Sequence, residues 1–272
     1  MPDGLAFTLY APFAALGDLT VGETRSGFDR PARSAIFGLV AAALGYDRHD
    51  EAKHAALDRA YRLAQRVRLG GVLVKDYHTT QAPSADRKSR WTTRREALDR
   101  PSHKLNTQLS SRDYRADLWV DIALVRLGSA GDEPPPEAVA EALRRPAYTL
   151  YVGRKSCPLG RPLAPEIDEG ITSVAGLLGR LDERTFGLND DEDWPFEPLR
   201  IDGLWVDPPG YWNAPLYADA ELAPLLAPDF EPLRVERRRD RVASRRRWQF
   251  ELRDEIVAQP VPSATTGPEG QA

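Results

Sequence analysis

The chain has 272 residues, of which 42% are hydrophobic and 29% charged, so its composition favours a folded globular protein over a disordered or fibrous one. A formal net charge of −4 excludes a nucleic-acid-binding protein whose surface is uniformly basic. A single cysteine, Cys157, cannot form an internal disulfide, and four scattered histidines show no metal-ligand spacing, which excludes structural zinc, haem and iron–sulfur sites.

Short apolar runs alternate with helix-like patterns over residues 1–160. Pro31–Leu44 is the clearest helix, because a proline opens its first turn and Gly45 stops it. The predicted elements are, in chain order, a strand at Leu5–Tyr10 that ends before Pro12, the helix at Pro31–Leu44, a more polar helix from Asp50 to about Gln65, a strand pair at Val67–Asp76 turned at Gly70-Gly71, a strand at Ala116–Leu127, a helix from Pro134 to Arg145, and a strand at Ala147–Val152. This order predicts an α+β fold with an RRM-like or ferredoxin-like core, in which helices cover one face of the sheet.

The polar, basic stretch 77–113 interrupts this pattern with little periodicity, and an excursion of that length inside a domain is usually functional or disordered. Beyond Gly160 the chain is rich in proline and acidic residues, and we expect an irregular insert at 161–232. Closing strands are predicted at 233–253 and a disordered tail at 254–272. The predicted organisation is therefore a core at 1–160 that carries a thumb insertion at about 77–113, followed by the insert, the closing strands and the tail.

No run approaches the roughly 20 apolar residues that cross a bilayer. The start, Met1-Pro2-Asp3-Gly4, lacks the basic and apolar regions of a secretory signal. We therefore expect a cytoplasmic protein with no cofactor, no metal and no membrane partner.

Charge is segregated into blocks along the chain. Residues 87–115 contain nine basic and three acidic residues, residues 161–231 contain four basic and sixteen acidic ones, and residues 234–247 contain eight basic and two acidic ones. Trp91, Tyr114 and Trp119 lie in or beside the first basic block and Trp248 follows the second, so unpaired bases could stack beside the cations. Two basic surfaces of this kind are typical of a protein that binds a polyanion along a defined path. The alternatives are that each block is an ordinary solvated face and that the aromatic residues belong to the core.

Four short motifs follow one another over about 160 residues. They are Tyr10-Ala11-Pro12-Phe13-Ala14-Ala15-Leu16-Gly17; Thr24-Arg25 with Pro31-Ala32-Arg33-Ser34-Ala35-Ile36-Phe37-Gly38-Leu39; Lys75-Asp76-Tyr77-His78-Thr79-Thr80; and Tyr148-Thr149-Leu150-Tyr151-Val152-Gly153-Arg154-Lys155-Ser156-Cys157-Pro158. Together they resemble the CRISPR-associated CasD family, the fifth Cas family of type I-E Cascade complexes. The last motif is the most specific, since it is similar to that family's Tyr…Tyr-Leu-Gly-Arg-basic-Ser-Cys-Pro signature. Ala11 and Ala32 depart from the family pattern, which usually has Gly and Thr there, and so does the acidic insert after Pro158.

The resemblance implies a RAMP-type, non-catalytic subunit that holds the 5′ handle of a CRISPR RNA and caps the Cascade backbone filament. Its implied partners are this RNA, the backbone subunit and the large subunit, and target DNA is met only through the assembled complex. The resemblance also implies a thumb that separates the handle from the first guide-pairing segment.

The residues themselves suit RNA binding. Gly153 leaves backbone amides unobstructed, while Arg154 and Lys155 offer phosphate donors directly after a predicted strand. Arg33 and Ser34 fall in the first turn of a predicted helix, where an anion is favoured, although Ser34 could equally bond the local backbone. The predicted RNA-binding residues are Arg25, Arg33, Ser34, Lys75, Tyr77, His78, Arg112, Tyr148, Tyr151, Gly153, Arg154 and Lys155. At least one of Tyr148 and Tyr151 is expected in the core, and the Gly153 turn could also simply carry two solvated cations.

The rival hypothesis is a metal-independent endoribonuclease that processes repeat RNA, as some relatives in another CRISPR subtype do. Tyr77, His78, His103 and Lys104 could supply its acid, base and charge stabiliser. A structural protein-interaction subunit would explain the acidic insert but not the basic blocks. Cys157 is not predicted to be a nucleophile, because no histidine or acid lies at an informative spacing.

Overall fold

The computed structural model describes residues 1–17, 22–84, 90–128, 131, 133–187 and 214–261. Side chains are described for all of these residues except 183–187. Its helices and strands are β1 (Asp3–Ala14), β2 (Thr24–Arg25), α1 (Arg33–Ala43), α2 (Glu51–Ala60), β3 (Tyr61–Pro83), α3 (Arg94–Leu98), β4 (Leu105–Arg126), α4 (Pro136–Arg144), β5 (Glu166–Asp168), α5 (Val174–Gly187), β6 (Leu216–Asp219), β7 (Phe230–Ser244) and β8 (Gln249–Pro260). Short 3₁₀ turns lie at Ser102–Lys104 and Ala220–Leu225.

Within these described residues, eight strands form one sheet in the order β5-β1-β4-β3-β6-β8-β7, and β2 pairs with β4 beside that path. Every neighbouring pair along the path is antiparallel, whereas β2 runs parallel to β4. The predicted α+β class with an antiparallel sheet is therefore confirmed. Helices α1 and α2 connect β1 to β3, and α4 connects β4 to β5, which is the chain order of a ferredoxin-like unit.

Helices cover both faces of the sheet, so the expectation that they cover a single face is wrong. On one face, α1 and α4 pack against the large apolar side chains of β1, such as Leu5, Phe7 and Leu9. On the other face, α5 packs over a patch of small residues, Ala6 and Ala123 among them. Because alternate residues of a strand point to opposite faces, β1 is buried on both sides. The alanines let α5 approach the sheet closely.

Two predicted strands are wrong because long-range pairing overrides the local pattern. The chain does not turn at Gly70-Gly71: β3 runs without interruption, with an irregularity between Val67 and Leu69 and a left-handed φ of 70° at Gly71. The predicted strand at Ala147–Val152 is a loop in which Tyr151 makes one isolated bridge to Pro158. The strand that pairs with β1 is β5 instead.

Other differences concern segments predicted to be irregular. The polar helix ends at Ala60 rather than near Gln65, because the next residues pair with β4 and β6. Much of 77–113 is regular, since β3 and β4 stay paired as far as Pro83 and Leu105. The insert 161–232 contains α5 and β6, and β8 extends to Pro260 within the predicted tail. The acidic run 190–193 and the end of the chain from 262 lie outside the described residues. None of the described helices combines the length and apolar character needed to cross a membrane.

Candidate nucleic-acid interface

The β3–β4 pair extends beyond the rest of the sheet as a two-stranded ribbon. Strand β1 ends at Ala14, which is paired with Arg115, so the residues of β4 before Arg115 have β3 on one side and only the short β2 on the other. We call the region where the ribbon leaves the sheet the ribbon base. It is where the predicted motifs can meet, because β1, β2 and the loop after α4 all approach it.

Residues that are paired in register share a face of the ribbon. Asp76 of β3 lies opposite Arg112 of β4. Val74 lies opposite Tyr114, which follows Arg112 by two residues in β4. Arg25 of β2 is the registered neighbour of Arg112. Arg25, Arg112 and Tyr114 therefore present their side chains on one face, which we call the basal face.

The loop 150–158 docks on the end of β1. The amide of Ala15 donates to the carbonyl of Val152 at 3.1 Å, and the loop is closed internally by the amide of Val152 donating to the carbonyl of Cys157 at 2.8 Å. Gly153 has a φ of 82°, and a Cβ at this position would lie 1.8 Å from the Ala15 carbonyl oxygen. The close approach requires glycine, and it fixes the following residues against the ribbon base.

Arg154 joins this loop to the basal face. Its Nη1 donates to the Tyr114 hydroxyl at 2.6 Å, and its guanidinium lies 5.1 Å from the centre of the Tyr114 ring. Lys155 beside it is exposed. The structure thus brings Arg25, Arg112 and Arg154 to one face of the ribbon base, although they are far apart in the sequence.

The basal face has unused hydrogen-bonding capacity. The Nε of Arg112 is buried and has no hydrogen-bond partner among the residues that the structure describes. A buried donor without an acceptor is costly, and a phosphate oxygen is an acceptor that suits a guanidinium. Asp76 opposite Arg112 offsets part of the positive charge and also contacts the Nε2 of His78. The arrangement suits a chain of phosphates better than a single highly charged anion.

Arg33 is not part of this site, and the expectation that it binds RNA is wrong. The residue is only 2% exposed; its Nε donates to Asp219 at 3.1 Å, and its guanidinium also pairs with Asp58. Burial lowers the pKa of Arg33, and the charge of Asp219 only partly opposes this shift. The backbone amide of Arg33 donates to Asp240 at 2.9 Å, so a carboxylate of the chain itself occupies the start of α1. Ser34 is half-buried and its carbonyl accepts from Arg245.

The remaining predicted residues are exposed but are not all on the basal face. Lys75 and Tyr77 are paired with Asp113 and Ser111, which places them on the opposite face of the ribbon. Tyr148 is 52% exposed and Tyr151 is 39% exposed, so the expectation that one of them lies in the core is wrong.

The groups named for a nuclease are not brought together. Tyr77 and His78 are consecutive in β3 and therefore point to opposite faces. His103 and Lys104 lie in the 3₁₀ turn that precedes β4, whereas His78 is paired with Ser110, about 15–20 Å along the strand. Cys157 is 1% exposed, in keeping with a structural role.

Sequence reasoning named Tyr114 as a possible stacking residue but missed its contact with Arg154, and it missed the internal role of the second basic block. Tyr114 follows Arg112 at the two-residue spacing of a strand, and this spacing was the available signal. Several arginines of 234–247 are used inside the molecule: Arg238 is buried beside Asp240 and Glu255, and Arg241 pairs with Asp58 at 3.0 Å. Charges of opposite sign at every second position of β7 signal an inward-facing charged row rather than a phosphate-binding face.

Comparison with known proteins adds an independent line of argument. The family model described as CRISPR-associated protein (Cas_Cas5) matches residues 4–216. The CRISPR system Cascade subunit CasD of Escherichia coli strain K12 is 30% identical over 167 residues, which cover 58% of this chain and 68% of that protein. A solved chain of a CRISPR RNA-guided surveillance complex aligns over 96% of this chain and 91% of its own length, with a TM-score of 0.55 and 19% identity. A crystal structure of a Cas protein aligns over 95% of both chains, with a TM-score of 0.50 and 20% identity. At these identities the two structural matches show a shared fold.

Proposed function

This chain belongs to the CRISPR-associated Cas5 family, and on that premise we propose that it is the RNA-binding, non-catalytic subunit of a Cascade surveillance complex that holds the 5′ handle of the CRISPR RNA. Family membership confirms the resemblance drawn from the four motifs. The handle role, the position at the end of the filament, and the contacts with a backbone subunit and a large subunit belong to the proposal.

The observation that carries the proposal is the convergence of Arg25, Arg112 and Arg154 on the basal face. Cations on one face beside an exposed loop can bind several phosphates of one strand, and the buried Nε of Arg112 lacks an acceptor within the described chain. Tyr148 and Tyr151 are exposed on the segment that leads into the same loop, where they can stack on splayed bases. A single-stranded handle with unpaired bases fits this combination better than a duplex does.

In this proposal the ferredoxin-like unit formed by β1, α1, β3, β4, α4 and β5 is a RAMP-type RNA-binding core. The ribbon, with α3 and the 3₁₀ turn at its tip, is the thumb, and it marks the boundary between the handle and the guide. Lys75 and Tyr77 lie on its other face. There they would contact either the neighbouring subunit or the RNA that has passed the ribbon.

Replacing Arg154 and Lys155 with alanine tests the proposal. The double variant should bind repeat-derived handle RNA more weakly by about 1–3 kcal/mol, or roughly 5- to 150-fold, because charge-assisted hydrogen bonds are lost. Arg145→Ala/Arg180→Ala is the matched control: it removes the same charge from two exposed arginines elsewhere and should bind within about twofold of wild type. Equal affinity of wild type and a folded Arg154/Lys155 variant would reject the site.

Unprocessed repeat RNA, labelled at its 5′ end and recovered after incubation in chelator, tests the non-catalytic role. Acid–base cleavage needs groups held in fixed geometry on one phosphate, and the candidate groups are separated along and across the ribbon. We expect intact RNA. Single-site cleavage that disappears in His78→Ala or His103→Ala would establish the nuclease instead.

A further inference from the structure

The turn that joins β7 to β8, residues 245–248, carries an exposed aromatic ring and a group of arginines. Trp248 is 59% exposed, and Arg246 and Arg247 beside it are exposed as well. Arg48, which precedes α2, places its guanidinium 5.1 Å from the centre of the Trp248 ring. We call the group formed by Arg48, Arg246, Arg247 and Trp248 the arginine turn.

The turn is held in shape by hydrogen bonds to its backbone. Glu51 of α2 accepts from the amide of Arg246 and from the hydroxyl of Ser244, both at 2.8 Å. The Ser244 hydroxyl in turn accepts from the amide of Arg247 at 3.1 Å. Because Glu51 and Ser244 bind the backbone, the side chains of Arg246 and Arg247 are left to point outward.

Trp248 has a φ of 57°, a conformation that a bulky residue rarely adopts. Its ring meets Phe250 edge-on at 5.6 Å, and more than half of its surface remains open to solvent. The contacts with Arg48 and Phe250 hold the ring in place but leave most of it uncovered. Backbone strain of this kind is characteristic of functional sites.

Most arginines in the strands of this hairpin pair with a carboxylate, Arg239 being the exception among the described residues, whereas those of its turn do not. Arg234, Arg237 and Arg241 each pair with a carboxylate. Within the described chain, Arg48, Arg246 and Arg247 form no ion pair, and the half-buried guanidinium of Arg245 donates to the carbonyl of Ser34 instead. Burial, and next the charge of Arg48, lower the pKa of Arg245. The positive charge of the turn is therefore available to a partner outside the chain.

We propose that the arginine turn is a second nucleic-acid contact, at which an unpaired base stacks on Trp248 and phosphates bind Arg48, Arg246 and Arg247. An open aromatic ring beside unpaired cations is the combination that binds single strands without sequence preference. An acidic peptide would use the cations but would leave the ring without a partner.

The contact is separate from the ribbon base, because the two lie at opposite ends of the strands. Ile256 of β8 is level with Ala64 of β3 through Ala218 of β6. The turn therefore lies beyond the Tyr61 end of β3, whereas the ribbon is the Pro83 end.

Binding of a fluorescein-labelled 12-nucleotide oligouridine to the full chain tests this site without relying on the handle. Arg246→Ala/Arg247→Ala should weaken binding by roughly 5- to 30-fold and lower the slope of log K against log salt by about 1–2, because two phosphate contacts are lost. Trp248→Leu, which keeps an apolar side chain but removes the ring, should weaken binding about fivefold or more with an unchanged slope. Arg237→Ala/Arg239→Ala removes the same charge from the same hairpin and should bind like wild type.

Photocrosslinking with 4-thiouridine RNA provides the second measurement. The peptide that contains Trp248 should crosslink in wild type and also in Arg154→Ala/Lys155→Ala, which separates this site from the ribbon base. The proposal is overturned if that peptide does not crosslink, if the turn variants bind like wild type, if the Arg237/Arg239 control loses as much affinity as they do, or if polyglutamate competes as well as RNA.

Discussion

Gly153 sets the position of the basic loop, because no other residue fits there. Its φ of 82° lies in the left-handed region, and any Cβ would overlap the carbonyl oxygen of Ala15 at the end of β1. The loop that follows carries Arg154 to Tyr114. One backbone contact therefore links the fold of the core to the geometry of the basal face.

We predict that Gly153→Ala destabilises the protein by about 1–3 kcal/mol and weakens handle binding, since both the φ angle and the contact with Ala15 must change. Urea unfolding and RNA titration measure the two effects. Gly170→Ala is the matched control, because Gly170 has open space around it and no left-handed φ. It should leave stability within about 0.5 kcal/mol of wild type. Coincident unfolding curves for Gly153→Ala and wild type would show that the loop is not fixed in this way.

Sequence alone was sufficient to single out the Gly153–Lys155 loop, because its glycine and cations are adjacent. It was not sufficient for Arg33. The carboxylates that bury Arg33 come from Asp58, Asp219 and Asp240, which lie 25, 186 and 207 residues away. Whether a guanidinium meets RNA or an internal acid depends on such distant partners, and a local pattern cannot reveal them.

Buried charges connect the β7–β8 hairpin to the core, in addition to the pairing of β8 with β6 and the apolar contacts of Phe230 and Ile256. Asp219 of β6 accepts from the amide of Leu63 at 2.8 Å and from Arg253 at 3.0 Å. Asp240 accepts from Arg253 at 2.6 Å and from the amide of Arg33. Burial alone would raise the pKa of Asp240, but the hydrogen bond and charge of Arg253 hold that pKa below its ordinary value.

We predict that Asp240→Ala costs about 3–5 kcal/mol of unfolding free energy, because it leaves Arg253 buried without one of its partners. Asp254→Ala, which removes the exposed partner of Arg237 in the same hairpin, should cost under about 1 kcal/mol. Urea unfolding of both variants gives the comparison.

The pH dependence has a definite sign. A carboxyl whose pKa is depressed in the folded state stabilises the protein above its unfolded pKa, and this contribution is lost as the pH falls through the folded value. The difference between wild type and Asp240→Ala should therefore be constant at neutral pH and shrink below about pH 4. A difference that grows in acid would contradict the assignment.

Elements with strong local signals were the ones predicted correctly. Helix α1 matches the helix predicted from its opening proline and its glycine stop, and β7 and β8 contain the closing strands predicted at 233–253. Helix α5 was missed, because it lies in a region whose acidic, proline-rich composition outweighed the apolar spacing of Val174, Leu177, Leu178 and Leu181. The paired length of β3 and β4 was missed as well, since a polar ribbon shows no buried face.

The molecule as a whole is a sheet covered on both faces, from which one polar ribbon extends. The ribbon and its base are mostly exposed: Val72 and Leu73 at the base, and Tyr77 of β3 and Leu109 of β4 beyond it, present apolar surface to solvent. Helix α3 and the 3₁₀ turn at the tip pack on the ribbon itself, where the backbone of Arg100 donates to Leu98 and that of Ser84 donates to Lys104. The core does not depend on the tip, so the exposed ribbon is available to a neighbouring subunit.

We therefore predict that replacing residues 85–103 with Asn-Gly leaves the core folded but impairs assembly with the backbone subunit. Ser84 and Lys104 are already joined by a backbone hydrogen bond of 2.9 Å, so a two-residue type I′ turn can close the shortened ribbon. Unfolding free energy should stay within about 0.5 kcal/mol of wild type, because the tip buries little of the core.

The variant Arg94→Ala/Arg95→Ala/Arg100→Ala keeps the tip but removes three of its cations. It shows whether assembly requires the shape of the tip or its positive charge. Co-purification of the complex is the readout. Assembly of the shortened chain at wild-type yield would show that the ribbon tip has no part in holding the neighbouring subunit.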